Sequence, residues 1–173
     1  MSAMWMGTQT KTTRNQARRK EMKVVVLRGV SGSGKSTWTK ENCPNAVICS
    51  ADHFFVQEDG TYKFNPTQLG LAHRTCLRKF LLHCTDSNFS NDTLVVDNTN
   101  LSLAEVAPYV QVALAMGHEV QVIHLVCKLW EAANRNTHGV PFSTIENMLR
   151  RFESLPAYWN VPTTTITTFN HKE

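Results

Sequence analysis

The sequence predicts a single α/β domain, a three-layer sandwich in which helices cover both faces of a central parallel sheet of about five strands. Three observations lead there. Residues 29 to 36 read GVSGSGKS, between the apolar run Val24 to Leu27 and a segment, Thr37 to Lys40, able to enter a helix. Strand, glycine-rich loop and helix in that order is the setting of a phosphate-binding loop, or P-loop. Apolar strands then alternate with helical periodicity, the pattern of parallel strands joined by crossover helices. Polar residues also follow the strand ends, SADHFF after the second and NTN after the third, where open α/β sheets bind their ligands.

Taken in order, the first strand opens at Lys23 and leads into the loop and its helix. Asn45 to Cys49 is a short second strand ending at Ser50. VQEDGTYKF reads as a hairpin or turn around Asp59 and Gly60. Pro66 suits a first helical turn, and Leu69, Ala72, His73, Cys76, Leu77, Phe80 and Leu81 recur at helical spacing up to about Cys84 as one buried stripe. LVVD, residues 94 to 97, is the third strand. Ser102 and Glu105 form a capping box for a helix that reaches Met116 and stops at Gly117. Glu119 to Val126 is the fourth strand, and Lys128 to Asn134 a helix leading into RNTHGVP, a Gly/Pro-broken segment read as a small lid over 135–141. Ser143 and Glu146 suggest a second capping box, opening a helix through Ile145, Met148, Leu149 and Phe152. TTTITTF supplies a β-rich fifth strand. The whole reads as a P-loop kinase sandwich.

At 173 residues, 42% of them apolar, the chain suits one packed domain, 23–173, behind an arm, 1–22. The net charge of +4 is concentrated in that arm: residues 1 to 23 carry Lys11, Arg14, Arg18, Arg19, Lys20 and Lys23 against Glu21 alone. Without apolar periodicity, the arm is expected to stay flexible, whether it holds nucleic acid, serves as a nuclear address or is a solvated tail. No run approaches the roughly 18 apolar residues of a membrane span, and no secretory signal is apparent. The expected location is intracellular, cytoplasmic or nuclear, with no membrane partner. Five scattered cysteines without a C-x-x-C pair read as reduced thiols, mostly buried.

The chemistry starts at the loop. Gly29, Val30, Ser31, Gly32, Ser33, Gly34, Lys35, Ser36 and Thr37 form a nucleotide cradle whose backbone N–H groups face phosphate oxygens, beside the positive end of the following helix. Lys35 reaches the β- and γ-phosphates of ATP, and Ser36 ligates Mg²⁺. Phosphoryl transfer then needs a base, a metal-side acid and a closing cation. Asp52, just past the second strand, is the candidate base, preferred over His53. Asp97, at the third strand's end, is placed like the carboxylate that holds Mg²⁺ or its water shell. Arg135, at the head of the lid, is the cation that stabilises transition-state charge, with Arg150 and Arg151 on the next helix. Arg74, Arg78 and Lys79 mark the polar side of the second helix and read as solvated charges.

The ordered set GVSGSGKSTW, SADHFF, EDGTYKFNPTQLGLAH, VVDNTNL, RNTHGVP and IENMLRRFE resembles the polynucleotide 5′-hydroxyl kinases, the P-loop family of the phage end-healing kinase, and in particular the kinase-like domains of the animal NEDD4-binding proteins. The resemblance covers Val24 to about Leu155. It implies that Asp52 deprotonates a 5′-hydroxyl, that Lys35 and Ser36 serve phosphate and Mg²⁺, that Arg135 is a lid arginine, that Val140 packs on the terminal base, and that Thr99 lies at the substrate. The family's two arginines around the base are replaced here by Ala51 and Phe55, and His138 stands nearest to its second lid arginine. The D-T-N motif aligns with Asn98, Thr99 and Asn100, so Asp97 stands one position early.

The expected activity is ATP- and Mg²⁺-dependent phosphorylation of RNA or DNA 5′-hydroxyl ends, with a separate ligase or phosphatase as a partner. A small-molecule P-loop kinase and an ATP-binding adaptor with little turnover are the alternatives.

Overall fold

The computed structural model describes residues 21–86, 88–89 and 91–168. Five strands form one sheet: β1 (Lys23–Arg28), β2 (Val47–Cys49), β3 (Thr93–Asp97), β4 (Glu119–Val126) and β5 (Thr163–Thr167). Their order is β2-β3-β1-β4-β5, and every pairing is parallel. Five helices connect them: α1 (Lys35–Asn42), α2 (Leu69–Thr85), α3 (Leu103–Ala115), α4 (Leu129–Arg135) and α5 (Phe142–Arg150). The predicted sandwich is therefore the observed one.

Alternation along the central strand builds both cores. Val24 and Val26 face a cluster with Phe80 and Cys76 of α2 and Val106, Tyr109 and Val110 of α3, whereas Val25 and Leu27 face the layer where Trp38 packs. A strand buried on both faces reads as a continuous apolar run, as KVVVLR does. Cys49, Cys76 and Cys84 are buried. A third cluster of Val30, Leu101, Ala132 and Ile145 seats α4 and α5 under the P-loop side of the sheet. No helix among the described residues is long and apolar enough to cross a membrane.

Several local expectations need correction. Met22, placed in the arm by the sequence, is 3% exposed and its carbonyl accepts from the Glu119 amide at 3.0 Å, so it belongs to the body; residues 1–20 of the arm lie outside the described residues. Ser143 and Glu146 do not make a capping box. Pro141 is the N-cap of α5, without a side-chain cap bond, and its carbonyl takes the Thr144 and Ile145 amides, so Ser143 already lies inside the first turn. The capping box at Ser102 is half conventional: Ser102 Oγ accepts from the Glu105 amide at 3.3 Å, but Glu105 Oε2 accepts from the Leu101 amide at 2.7 Å. In α2, Leu69 and His73 leave the buried stripe, because the helix's first turn overhangs an open cleft. The turn at Asp59–Gly60 closes as predicted, with an antiparallel bridge between Val56 and Tyr62.

Arg28, the last residue of β1, is 2% exposed. Its Nε donates to the Asn100 carbonyl, and its Nη2 to the carbonyls of Leu101 and Glu153, all at 2.7 Å. Its Cζ lies 4.3 Å from the centre of the Phe152 ring, which stacks in turn on His124. Burial lowers the guanidinium's pKa, and the carboxylates of Glu105 and Glu153 oppose that shift. Replacing this donor with an apolar side chain leaves the buried Asn100 carbonyl without its partner, while the Leu101 carbonyl keeps the Glu153 amide at 2.9 Å; a stranded buried polar group costs about 1–3 kcal/mol. Arg28→Met is therefore expected to lose about 1–3 kcal/mol in urea unfolding; a midpoint matching the wild type contradicts this account.

Candidate active site

The P-loop leaves β1 at Gly29, whose amide donates to the Thr99 carbonyl at 3.0 Å, so the donor loop is bonded to the segment after β3. Gly32 has φ +77° and lies so close to α4 that a Cβ there would meet the Ala132 carbonyl, which explains why this position takes glycine. Ser33 Oγ is buried and has no hydrogen-bond partner among the described residues. Lys35 Nζ folds back onto the loop, donating to the Gly29 carbonyl at 3.0 Å and the Val30 carbonyl at 2.8 Å. Burial lowers its pKa, while Asp97 and Asp52 pull the other way. Val30 contributes its side chain to the core and only its backbone to the cradle.

Ser36 and Asp97, the two residues expected on the metal side, are adjacent: Ser36 Oγ donates to Asp97 Oδ2 at 2.8 Å. The two oxygens come from α1 and the adjacent strand end, and hard oxygen donors beside a phosphate cradle suit Mg²⁺. Burial pushes the Asp97 carboxyl up, and the Ser36 hydroxyl and Lys35 only partly offset it. Thr37, next along, is exposed.

Asp52 opens a 3-10 turn, Asp52–Phe55, directly beyond β2. The Ala51 amide before it donates to Asn98 Oδ1 at 2.8 Å, while Asn98 Nδ2 faces Cys76 and Tyr109, so the turn hangs from the end of β3. Phe55 is buried, with Phe54, Tyr62 and Phe64 edge-on around it. The Asp52 side chain, 54% exposed, accepts from the Tyr62 hydroxyl at 3.1 Å and lies 3.8 Å from His138 Nε2. Burial first, then the Asp52 charge and hydrogen bond, push the Tyr62 hydroxyl above its ordinary pKa. Burial, then Lys79, lower that of His53.

Asp52 borders a cleft of about 910 Å³. Thr99 and Val140 line it, as do Phe64, Leu69 and Leu77 on one wall and Leu101, Pro108 and Met148 on the other. Its cationic groups are Arg74 of α2 and Arg151 after α5; Arg151 donates to Glu105 at 2.8 Å. The sequence treated Arg74 as a solvated charge, because nothing in helical spacing tells a cleft wall from open solvent. Lys79, also read as a solvated charge, is half-buried and donates to the Ile48 carbonyl at 2.8 Å, whereas Arg150 pairs with Glu146 on its own helix.

Arg135 is placed differently from the expectation. It ends α4 and does not head a loop; it donates to the Thr168 carbonyl at 2.7 Å and pairs with Glu131 at 3.6 Å. Thr168 Oγ1 donates to the Ser33 carbonyl at 3.0 Å, so Arg135 is tied to the donor loop and is not among the residues lining the cleft. The lid proper is 136–141, braced by the Asn136 side chain. Its Oδ1 accepts from the His138 amide at 3.0 Å and from Ser31 Oγ at 3.4 Å, and its Nδ2 donates to the Val140 carbonyl at 2.8 Å. Arg28, Tyr62 and Asn136 are the site-building residues that sequence reading passed over.

The raised Asp97 carboxyl means that the folded domain holds a proton the unfolded chain has released just above the ordinary aspartate range, near pH 3.9. Stability conferred by neutral Asp97 is lost as pH rises through its folded value. Ligand-free Asp97→Asn should thus melt higher than wild type at pH 7, with the gap closing below about pH 3.9, and should bind ATP more weakly in Mg²⁺. Scanning calorimetry and ATP titration check both halves.

A profile of the AAA domain family matches residues 24–155. Human NEDD4-binding protein 2 is 36% identical over 145 residues, a match covering 77% of this chain and 8% of that protein. Among solved structures, a putative kinase from Chloroflexus aurantiacus superposes with a TM-score of 0.63 at 13% identity, covering 86% of this chain and 89% of that one. The APS kinase CysC of Mycobacterium tuberculosis, solved with AMPPNP and APS, gives 0.54 at 17% identity over 85% and 88%. With its P-loop closed by Thr99, its strand order and this match over most of its length, the chain belongs to the AAA domain family and has a P-loop kinase fold.

Proposed function

We propose that the domain transfers the γ-phosphoryl group of ATP to the 5′-hydroxyl of an RNA or DNA end. The observation that carries this reading is the composition of the cleft beside Asp52. A nucleic-acid end presents planar bases and one charge per phosphate. The cleft offers the half-exposed Phe64 with Leu69, Leu77 and Val140 for a base, and Arg74 and Arg151 on its two walls for backbone phosphate. These cations come from α2 and from the turn after α5, whereas Ala51 and Phe55 around Asp52 carry no charge.

In the reaction, the acceptor oxygen bonds to the γ-phosphorus while its proton passes to Asp52. The bond from that phosphorus to the β–γ bridging oxygen breaks, and ADP leaves with the electron pair. Lys35 exchanges the Gly29 and Val30 carbonyls for phosphate oxygens, and Arg135 adds positive charge from the donor side. Ser36 and Asp97 would hold Mg²⁺, which when bound would neutralise charge at the phosphates.

The test is γ-labelled ATP with Mg²⁺ and 5′-hydroxyl oligonucleotides of RNA and DNA. Label is expected on the oligonucleotide, with kcat falling between about 10² and 10⁴-fold in Asp52→Ala. Label appearing on small metabolites alone overturns the polynucleotide acceptor, and tight ATP binding without any transfer overturns the kinase. A second measurement concerns the cleft cations. Arg74→Ala and Arg151→Ala should each raise the oligonucleotide KM and flatten its logarithmic salt dependence by about 0.7, the loss of one phosphate contact to a single strand, with ATP affinity unchanged.

A further inference from the structure

Asp52 is gripped from two sides by segments that share no secondary structure. One is the Val56–Tyr62 hairpin, pinned by its bridge, by the Lys63 amide donating to the Phe55 carbonyl at 2.9 Å, and by the buried Phe55 ring. The other is the lid, whose tip is fixed by Asn136. Tyr62 and His138, one from each, stand with ring centres 4.3 Å apart across the carboxylate. The Tyr62 hydroxyl takes Oδ1 at 3.1 Å, whereas His138 Nε2 stands 3.8 Å from Oδ2, outside hydrogen-bond length. One carboxylate oxygen is therefore committed and the other is left toward the lid.

Building on the phosphoryl-transfer reading, we propose that Tyr62 and His138 are positioning residues for Asp52: Tyr62 fixes Oδ1 so that Oδ2 takes the acceptor's proton, and His138 makes the lid the second side of the carboxylate's seat. The contact chain continues to the donor. Ser31 of the P-loop bonds Asn136 Oδ1, and the same oxygen holds the His138 amide. The phosphate loop is in this way linked by contact to the seat of the base.

A donor to a carboxylate favours its charged form, so removing one moves the acid limb of the rate profile to higher pH. The other ionisable groups acting on Asp52 are Lys35 of the P-loop, Asp97 of β3 and the neighbouring His53. None is altered by the variants below. The experiment uses the full chain as wild type, Tyr62→Phe, His138→Ala, His138→Asn and Asp52→Ala. It records nuclear Overhauser contacts between the Tyr62 and His138 rings without substrates, ATP affinity, and kcat and KM against pH with a 5′-hydroxyl oligonucleotide.

The ring contacts are expected in wild type and lost in Asp52→Ala. Tyr62→Phe and His138→Ala should each lose about tenfold in kcat and keep ATP affinity; Tyr62→Phe, which removes the donor to Oδ1, should also shift the acid limb upward, and His138→Asn, which keeps a polar side chain beside Oδ2, should recover part of the rate. Ring contacts missing in wild type, full kcat in both variants, or a loss confined to KM with an unmoved limb each overturn the proposal. Should the wild type transfer to no oligonucleotide, the polynucleotide reading falls by itself. The Overhauser contacts then decide this inference: their loss in Asp52→Ala upholds it, and their persistence overturns it.

Discussion

The Arg28 guanidinium is the joint on which both halves of the site depend. Donating to three carbonyls, it fastens the last residue of β1 to the chain leaving β3 and to the chain leaving α5 at Glu153. The P-loop begins one residue later, and the chain it fastens, Asn100 and Leu101, continues into α3 through Ser102. Glu105 and Glu153 then complete the joint. Glu105 receives the Leu101 amide and Arg151, and Glu153 receives the Leu103 amide. The phosphate loop and one wall of the cleft beside Asp52 thus share an anchor, so loop and cleft are registered against each other by a buried cation. A buried charge is tolerable only when its donors are filled. Here backbone carbonyls, which carry no competing charge to be desolvated, fill most of them.

Electrostatics around the donor loop run against stability and toward ligand. Lys35 and Asp97 are both driven toward their neutral forms by burial. The bonds that they make, Lys35 to loop carbonyls and Asp97 to Ser36, are substitutes a triphosphate with a divalent cation would replace with stronger charged contacts. Buried Ser33 Oγ, with no partner among the described residues, belongs to the same pattern. The fold holds these groups at a cost because three parallel strand ends converge there, and backbone geometry leaves nowhere else for the side chains at those positions to go.

What was legible in the sequence was what is local. The P-loop, the strand runs and the strand-end acids Asp52 and Asp97 announce themselves because motif spacing and apolar runs depend on residues near in sequence. The five-stranded parallel sheet follows from those alternations, and it stands. The partners that finish the site are distant: Arg28 meets Glu153, Tyr62 meets His138, Ser31 meets Asn136. No periodicity encodes such pairs. Arg28 in particular reads as the polar end of a strand, and only the three converging carbonyls reveal why a cation is buried there. Ser143 illustrates the opposite failure, a local signal overridden. Its spacing to Glu146 is that of a capping box, but Pro141, fixed at φ −58° and with an extended ψ of 146°, takes the N-cap position first.

The lid follows from the same constraint in its smallest form. Between α4 and α5 only residues 136–141 are free to span, and they are not slack: Val140 packs with Ile145 and Leu101 under the loop, while Asn136 bonds at both ends of the segment. Gly139, at φ +66°, supplies the one turn that an L side chain would resist. A segment this short cannot swing independently of the helices at its ends, so any closure over bound phosphate must pass through α4, which carries Arg135, or α5, whose following chain is bolted to Arg28 at Glu153. The helix carrying Arg135 is held to Thr168, and the segment after the other to the Arg28 joint beneath one wall of the cleft. Hence the six lid residues lie between the phosphate loop, through Asn136, and Asp52, through His138. A single side chain at their tip, His138, is then enough to carry the lid's position to the base.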